Sequence, residues 1–133
     1  MAGWLGANRL YPGVAEALRA CVANPALDVY IVTTKQARFT HALLRDLGGV
    51  ELPMERIYSQ TASGRPKTEV LEKLAAGAPP GCRLTFVEDK LSTLEAVAAA
   101  PGFEAWQLYL GACGVRACCV RACTSWCVHA VVR

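Results

Sequence analysis

Two kinds of apolar pattern alternate along this chain. Val14, Leu18, Cys21 and Val22 recur at helical spacing behind Tyr11-Pro12-Gly13, where proline suits a first helical turn. Asn24-Pro25 breaks that pattern, because the residue before a proline avoids the helical region. Val29-Tyr30-Ile31-Val32-Thr33 is then β-branched and aromatic without polar alternation, which predicts a strand buried on both faces. Phe39, Leu43, Leu44 and Leu47 predict a second helix, stopped by Gly48-Gly49, residues that can take positive φ. Ile57-Tyr58 reads as a short strand. Pro66 opens a helix carrying Val70, Leu71 and Leu74, ended by Gly77 and the Pro79-Pro80-Gly81 turn. Leu84-Thr85-Phe86-Val87 is a second buried strand, Leu91, Leu94 and Val97 mark a helix closed by Pro101-Gly102, and Trp106-Gln107-Leu108-Tyr109-Leu110 is a further strand.

Strands and helices that alternate in this way predict βαβ units. The expected fold class is α/β, a Rossmann-type parallel sheet with flanking helices. A chain of 133 residues suits one core, and 53% apolar against 19% charged residues suits a globular one. The formal charge of +3 comes without a basic run interleaved with aromatics, so nucleic acid is not an expected partner. Residues 1–9 carry neither the apolar stretch of a secretory signal nor the acid-poor, Arg- and Ser-rich pattern of an organelle leader, so no targeting signal is expected.

The composition changes after Gly111. Residues 105–133 contain no Asp or Glu, Val-Arg-Ala-Cys occurs at 115–118 and again at 120–123, and five of the seven cysteines fall in the last 21 residues. Residues 1–111 are therefore read as the core domain and 112–133 as a separate Cys-rich tail. Arg116 and Arg121 make its apolar stretch a poor membrane span, so no membrane is expected. Cys113, Cys118, Cys119, Cys123, Cys127 and His129 supply zinc ligands by count but lack paired C-x₂-C knuckles. An altered splice or reading-frame product fits them better. Trp126–Val132 is a candidate strand. Cys21 and Cys82, each isolated among apolar neighbours, read as small buried hydrophobes in a reducing cytoplasmic or organelle interior.

In open parallel sheets ligands bind beyond the carboxyl ends of the strands. Those ends carry Thr33-Thr34-Lys35 and Glu88-Asp89-Lys90, with Gly64-Arg65-Pro66-Lys67 entering a helix between them. Lys67 lies in a first helical turn, where the dipole disfavours a cation, and its spacing to Val70, Leu71 and Leu74 aims it at the buried face. It needs an anion nearby, unless it snorkels to the surface. Glu88-Asp89 sets two carboxylates at the end of an apolar strand, where a hard cation such as Mg²⁺ relieves their repulsion. The alternative is that one acid caps the next helix while the other is solvated. Thr33 and Thr34 can donate to a phosphoryl oxygen or cap the following helix.

In this order the segments resemble the haloacid dehalogenase superfamily, whose members are mostly Mg²⁺-dependent phosphatases. The resemblance covers Trp4 to Gly111, with Leu10–Val14 before the first helix, Ile31-Val32-Thr33-Thr34-Lys35 as motif II, Gly64-Arg65-Pro66-Lys67 as motif III and Phe86-Val87-Glu88-Asp89 as motif IV. The wording, including Trp106–Gly111, is most similar to a plant and algal branch related to phosphoglycolate phosphatases. The resemblance implies a hydrolase acting on a small phosphorylated metabolite. Thr33, with Thr34, would bind the transferring phosphoryl group, Lys67 would neutralise charge shared by nucleophile and phosphate, and Asp89 with Glu88 would hold Mg²⁺.

Two features depart from that pattern. The second acid expected four residues after Asp89 is Thr93. The family's Asp-x-Asp nucleophile motif, on a first strand central in the sheet, has no counterpart, because the three aspartates are Asp28, Asp46 and Asp89. A phosphatase-type domain without turnover is the expectation, with a non-catalytic remnant binding a partner or a phosphate ligand as the alternative. An unrelated doubly wound domain is the third reading. Loss of the central strand also leaves two half-sheets with open inner edges, which must close together or be filled by another segment.

Overall fold

The computed structural model describes Leu10, residues 12–59, residues 67–111 and the backbone of 130–132. Five strands make one sheet: β1 (Val29–Thr33), β2 (Ile57–Ser59), β3 (Thr85–Glu88), β4 (Gln107–Leu110) and β5 (Ala130–Val132). Four described helices accompany them: α1 (Val14–Ala23), α2 (Ala37–Gly48), α3 (Lys67–Ala76) and α4 (Leu91–Ala99). The α/β class is as the alternation predicts, and β1–β2 and β3–β4 are parallel pairs. No helix among the described residues is long and apolar enough to cross a membrane.

Local sequence explains most element boundaries. Helix α1 stops at Ala23 because Asn24, before Pro25, is extended at φ −84° and ψ 113°. Helix α2 ends where Gly49 turns left-handed at φ 60°, its amide donating to the carbonyls of Arg45 and Leu44. Pro66, expected to open α3, lies outside the described residues. Leu47 and Leu91, which belong to the helical apolar patterns of the sequence, are 42% and 55% exposed. Each stands in the terminal turn of its helix, so neighbouring turns shield it on one side only.

The sheet separates two apolar cores, in keeping with the alternation of side chains along each strand. On one face Val32, Phe86 and the half-buried Tyr30, Tyr58 and Leu108 pack with Leu71 and Leu74 of α3, Leu94 and Val97 of α4, and Phe103 and Trp106. On the other face Val29, Ile31 and Ile57 pack with Leu18 of α1, Leu44 of α2, Val50 and Leu52. Among the described residues the second core takes its strand residues from β1 and β2, while the first spans both parallel pairs. Arg19 secures α1 to α2, its Nη1 donating to the Gly48 carbonyl at 2.6 Å.

The strand order is β2-β1-β5-β3-β4. The gap between the two parallel pairs is filled, and by the segment whose composition sets it apart. Val132, Val131 and Ala130 pair antiparallel with Val29, Tyr30 and Ile31 on one side and with Thr85, Phe86 and Val87 on the other. The direction follows from connectivity. The chain leaves β4 at its carboxyl end and enters β5 at that same end, beside Ile31 and Val87, so no return crossover along the sheet is needed. Filling the slot gives the inner edges of β1 and β3 backbone partners, which buried amides and carbonyls require. Trp126–His129, the rest of the candidate strand, lie outside the described residues.

Candidate site at the carboxyl edge of the sheet

Because Ala130 pairs with both Ile31 and Val87, the strands stand level across the slot. One step on, Val32 is level with Glu88, and a second step brings Thr33 level with Asp89. Two strand spacings separate these last two, about 10 Å of backbone. Ser59 pairs with Thr33 on the outer side. Thr33, Ser59, Glu88 and Asp89 therefore share one edge of the sheet, and α3 starts there with Lys67.

Thr33 is buried, 4% exposed, and its Oγ1 accepts the Lys35 amide at 3.1 Å. Ser59 Oγ donates to the Lys35 carbonyl at 2.8 Å. The turn after β1 is thus held from both sides, by a hydroxyl of its own strand and one from β2. Burial lowers the Lys35 ammonium from its ordinary range, because the charged form loses hydration. Thr34 is exposed.

Lys67 and Glu88 meet directly, with Nζ 2.6 Å from Oε2. The Glu88 side chain is wholly buried and that of Lys67 is 12% exposed. The other oxygen, Oε1, accepts the amides of Asp89 at 3.0 Å and Lys90 at 3.1 Å, at the start of α4. One carboxylate thereby takes a cation, two backbone donors and the positive end of a helix. The anion that Lys67 needs is supplied by the chain itself. Asp89, beside it, is exposed.

The residues singled out in the sequence thus fall into two groups on one edge. Lys67 and Glu88 touch, while Thr33 stands two strands away with Lys35 and Ser59. Ser59 was not singled out, because a serine ending a three-residue strand has no signature until that strand pairs with β1. No family model, curated protein or solved structure matches the chain.

Among the described residues no group of three His, Cys, Asp or Glu side chains is placed to hold a metal ion. With Glu88 engaged by Lys67, a Mg²⁺ here would draw on Asp89 and on oxygens of a phosphorylated ligand. Among the described residues the donors do not make a Mg²⁺ shell without that ligand. Asp28 and Asp46 stand elsewhere. Asp28 precedes β1 at the opposite end of the sheet and pairs with Arg56 at 3.2 Å, while Asp46 lies on α2 beside Arg45 at 2.6 Å.

Proposed function

We propose that the carboxyl edge of this sheet binds the phosphate group of a small phosphorylated metabolite, in a haloacid dehalogenase-type domain that does not hydrolyse it. The reading is supported first by the order of the Thr33, Lys67 and Glu88-Asp89 segments along the chain. The observation that carries it is their arrival at a single edge, with a buried hydroxyl at Thr33 and a pinned lysine-bearing turn beside it. In this role Thr33 and the Thr34–Lys35 turn donate to phosphate oxygens. Lys67 acts in a pair with Glu88, which reduces the net positive charge it offers. Asp89 stands exposed at the same edge and would be the carboxylate to hold a Mg²⁺, which would offset its repulsion with the phosphate.

The absence of turnover follows from the aspartates. Phosphoryl transfer to an enzyme carboxylate needs that group in line with the phosphorus. Asp28 is at the wrong end of β1 and Asp46 is on the exposed surface of α2, and in this reading Asp89 serves as a metal ligand rather than as the nucleophile. The test is a ³¹P NMR titration of inorganic phosphate with and without Mg²⁺, alongside a hydrolysis assay on p-nitrophenyl phosphate. Binding in the millimolar range that is lost in Thr33→Val, with no hydrolysis above buffer, is the expected result. No phosphate binding by the folded protein removes the site reading, and Mg²⁺-dependent hydrolysis abolished by Asp89→Ala removes the inactivity.

A further inference from the structure

The central strand is short and runs antiparallel to the rest of the sheet. β5 has three residues where β1 has five and β3 has four, and it runs against every neighbour. The two walls of the slot that it occupies are also joined apart from β5, because Val32 of β1 and Phe86 of β3 belong to one apolar core with Leu71 and Leu74 of α3. Lys67 and Glu88 add a second tie between α3 and β3. With β5 withdrawn, β1 and β3 would present two facing rows of backbone donors and acceptors, held at about the spacing of one inserted strand.

We infer that this slot is a strand-acceptor site that takes β5 from a second copy of the chain as well as from its own. The registered pairs, Val29 with Val132 through Ile31 with Ala130 and Thr85 with Val132 through Val87 with Ala130, are the same whichever copy supplies the strand. Exchange therefore conserves the contacts of β5, which is what makes swapping an inexpensive route to a dimer. Reach is not limiting. Residues 112–129 number 18 by position, and a chain of that length spans at most about 60 Å, against a radius of gyration of about 13 Å for a domain near 100 residues. The opposing factor is the tether. Attachment to its own domain offers β5 to the slot at an effective concentration on the order of 1 mM. The chain's own strand therefore dominates at micromolar protein, and exchange becomes comparable near millimolar. The exchange does not depend on what the carboxyl edge binds.

The test uses the full chain in isotopically heavy and light forms, with reductant present to keep the seven cysteines as thiols. The two forms are unfolded, mixed and refolded together at about 1 mM and at about 10 µM, then counted by native mass spectrometry. A mixed heavy–light dimer is expected as a major species at the higher concentration and at roughly one-hundredth of that proportion at the lower. Folded monomers mixed without unfolding should acquire it only slowly, since β5 must first leave. Val131→Pro, which removes a ladder donor at the middle of β5, should abolish the dimer. Should that variant fail to fold, the wild-type experiment still decides. No dimer after joint refolding at 1 mM overturns the inference. So does a dimer that forms within mixing time from folded monomers, since that is association through an outer surface.

Discussion

Replacing Lys67 by methionine keeps most of the side chain's length and removes its charge. The buried Glu88 carboxylate then loses the ammonium at 2.6 Å and keeps the amides of Asp89 and Lys90. Breaking a buried pair from one side costs about 3–5 kcal/mol, because a charge is left uncompensated. The two amides and the start of α4 still serve the carboxylate, which puts the expected loss at about 3 kcal/mol. Against a domain stability of about 5–15 kcal/mol that is a large fraction. In thermal melts it corresponds to a fall of about 12 °C, taking about 4 °C per kcal/mol for a chain of this size. Lys67→Met combined with Glu88→Leu removes both charges and should recover most of the loss, since a buried ion pair is often no better than an apolar pair of similar volume. Urea titrations of the wild type, both single variants and the double complete the cycle, with an expected coupling of about 2 kcal/mol or more. If Lys67→Met costs less than about 1 kcal/mol, or the two changes add within about 0.5 kcal/mol, the pair is not the anchor of this edge.

Three other substitutions probe separate parts of the argument. Phe86 is fully buried in the core that joins the two parallel pairs, so Phe86→Ala should cost about 3–5 kcal/mol in urea unfolding. Gly49 ends α2 at φ 60°, where a side chain is strained even though an added Cβ would meet only the Arg19 side chain at 3.5 Å. Gly49→Ala should therefore lower stability by about 1 kcal/mol, read as a shift in urea midpoint at unchanged slope. The sign of the pH effect at Lys35 follows from its depressed folded-state pKa. Its burial penalty is fully present where both states are protonated, and it is relieved as pH rises through the folded value toward the unfolded one near 10.5. The stability advantage of Lys35→Met over wild type should accordingly be greatest near neutrality and narrow toward pH 10. An advantage that is flat or that widens with pH contradicts the desolvation account.

Much of the fold is written locally. Val29–Thr33 and Thr85–Phe86-Val87 are β-branched and aromatic enough to be strands wherever they lie, and Pro25, Gly49 and Pro101-Gly102 stop helices through restrictions on φ that act within a residue or two. The position of Lys67 in a first helical turn on an apolar face pointed either to an anion nearby or to a side chain that snorkels to the surface. Which anion it meets was decided by tertiary structure. Glu88 is 21 residues away in sequence and reaches Lys67 because α3 packs over β3. The filling of the central slot was likewise a tertiary outcome. The short apolar run Ala130-Val131-Val132 could have been an edge strand or no strand at all, and strand pairing at long range depends on which backbone edges are open, something that periodicity does not encode. Local pattern determined the elements, while the open edges of β1 and β3 decided where the last of them went.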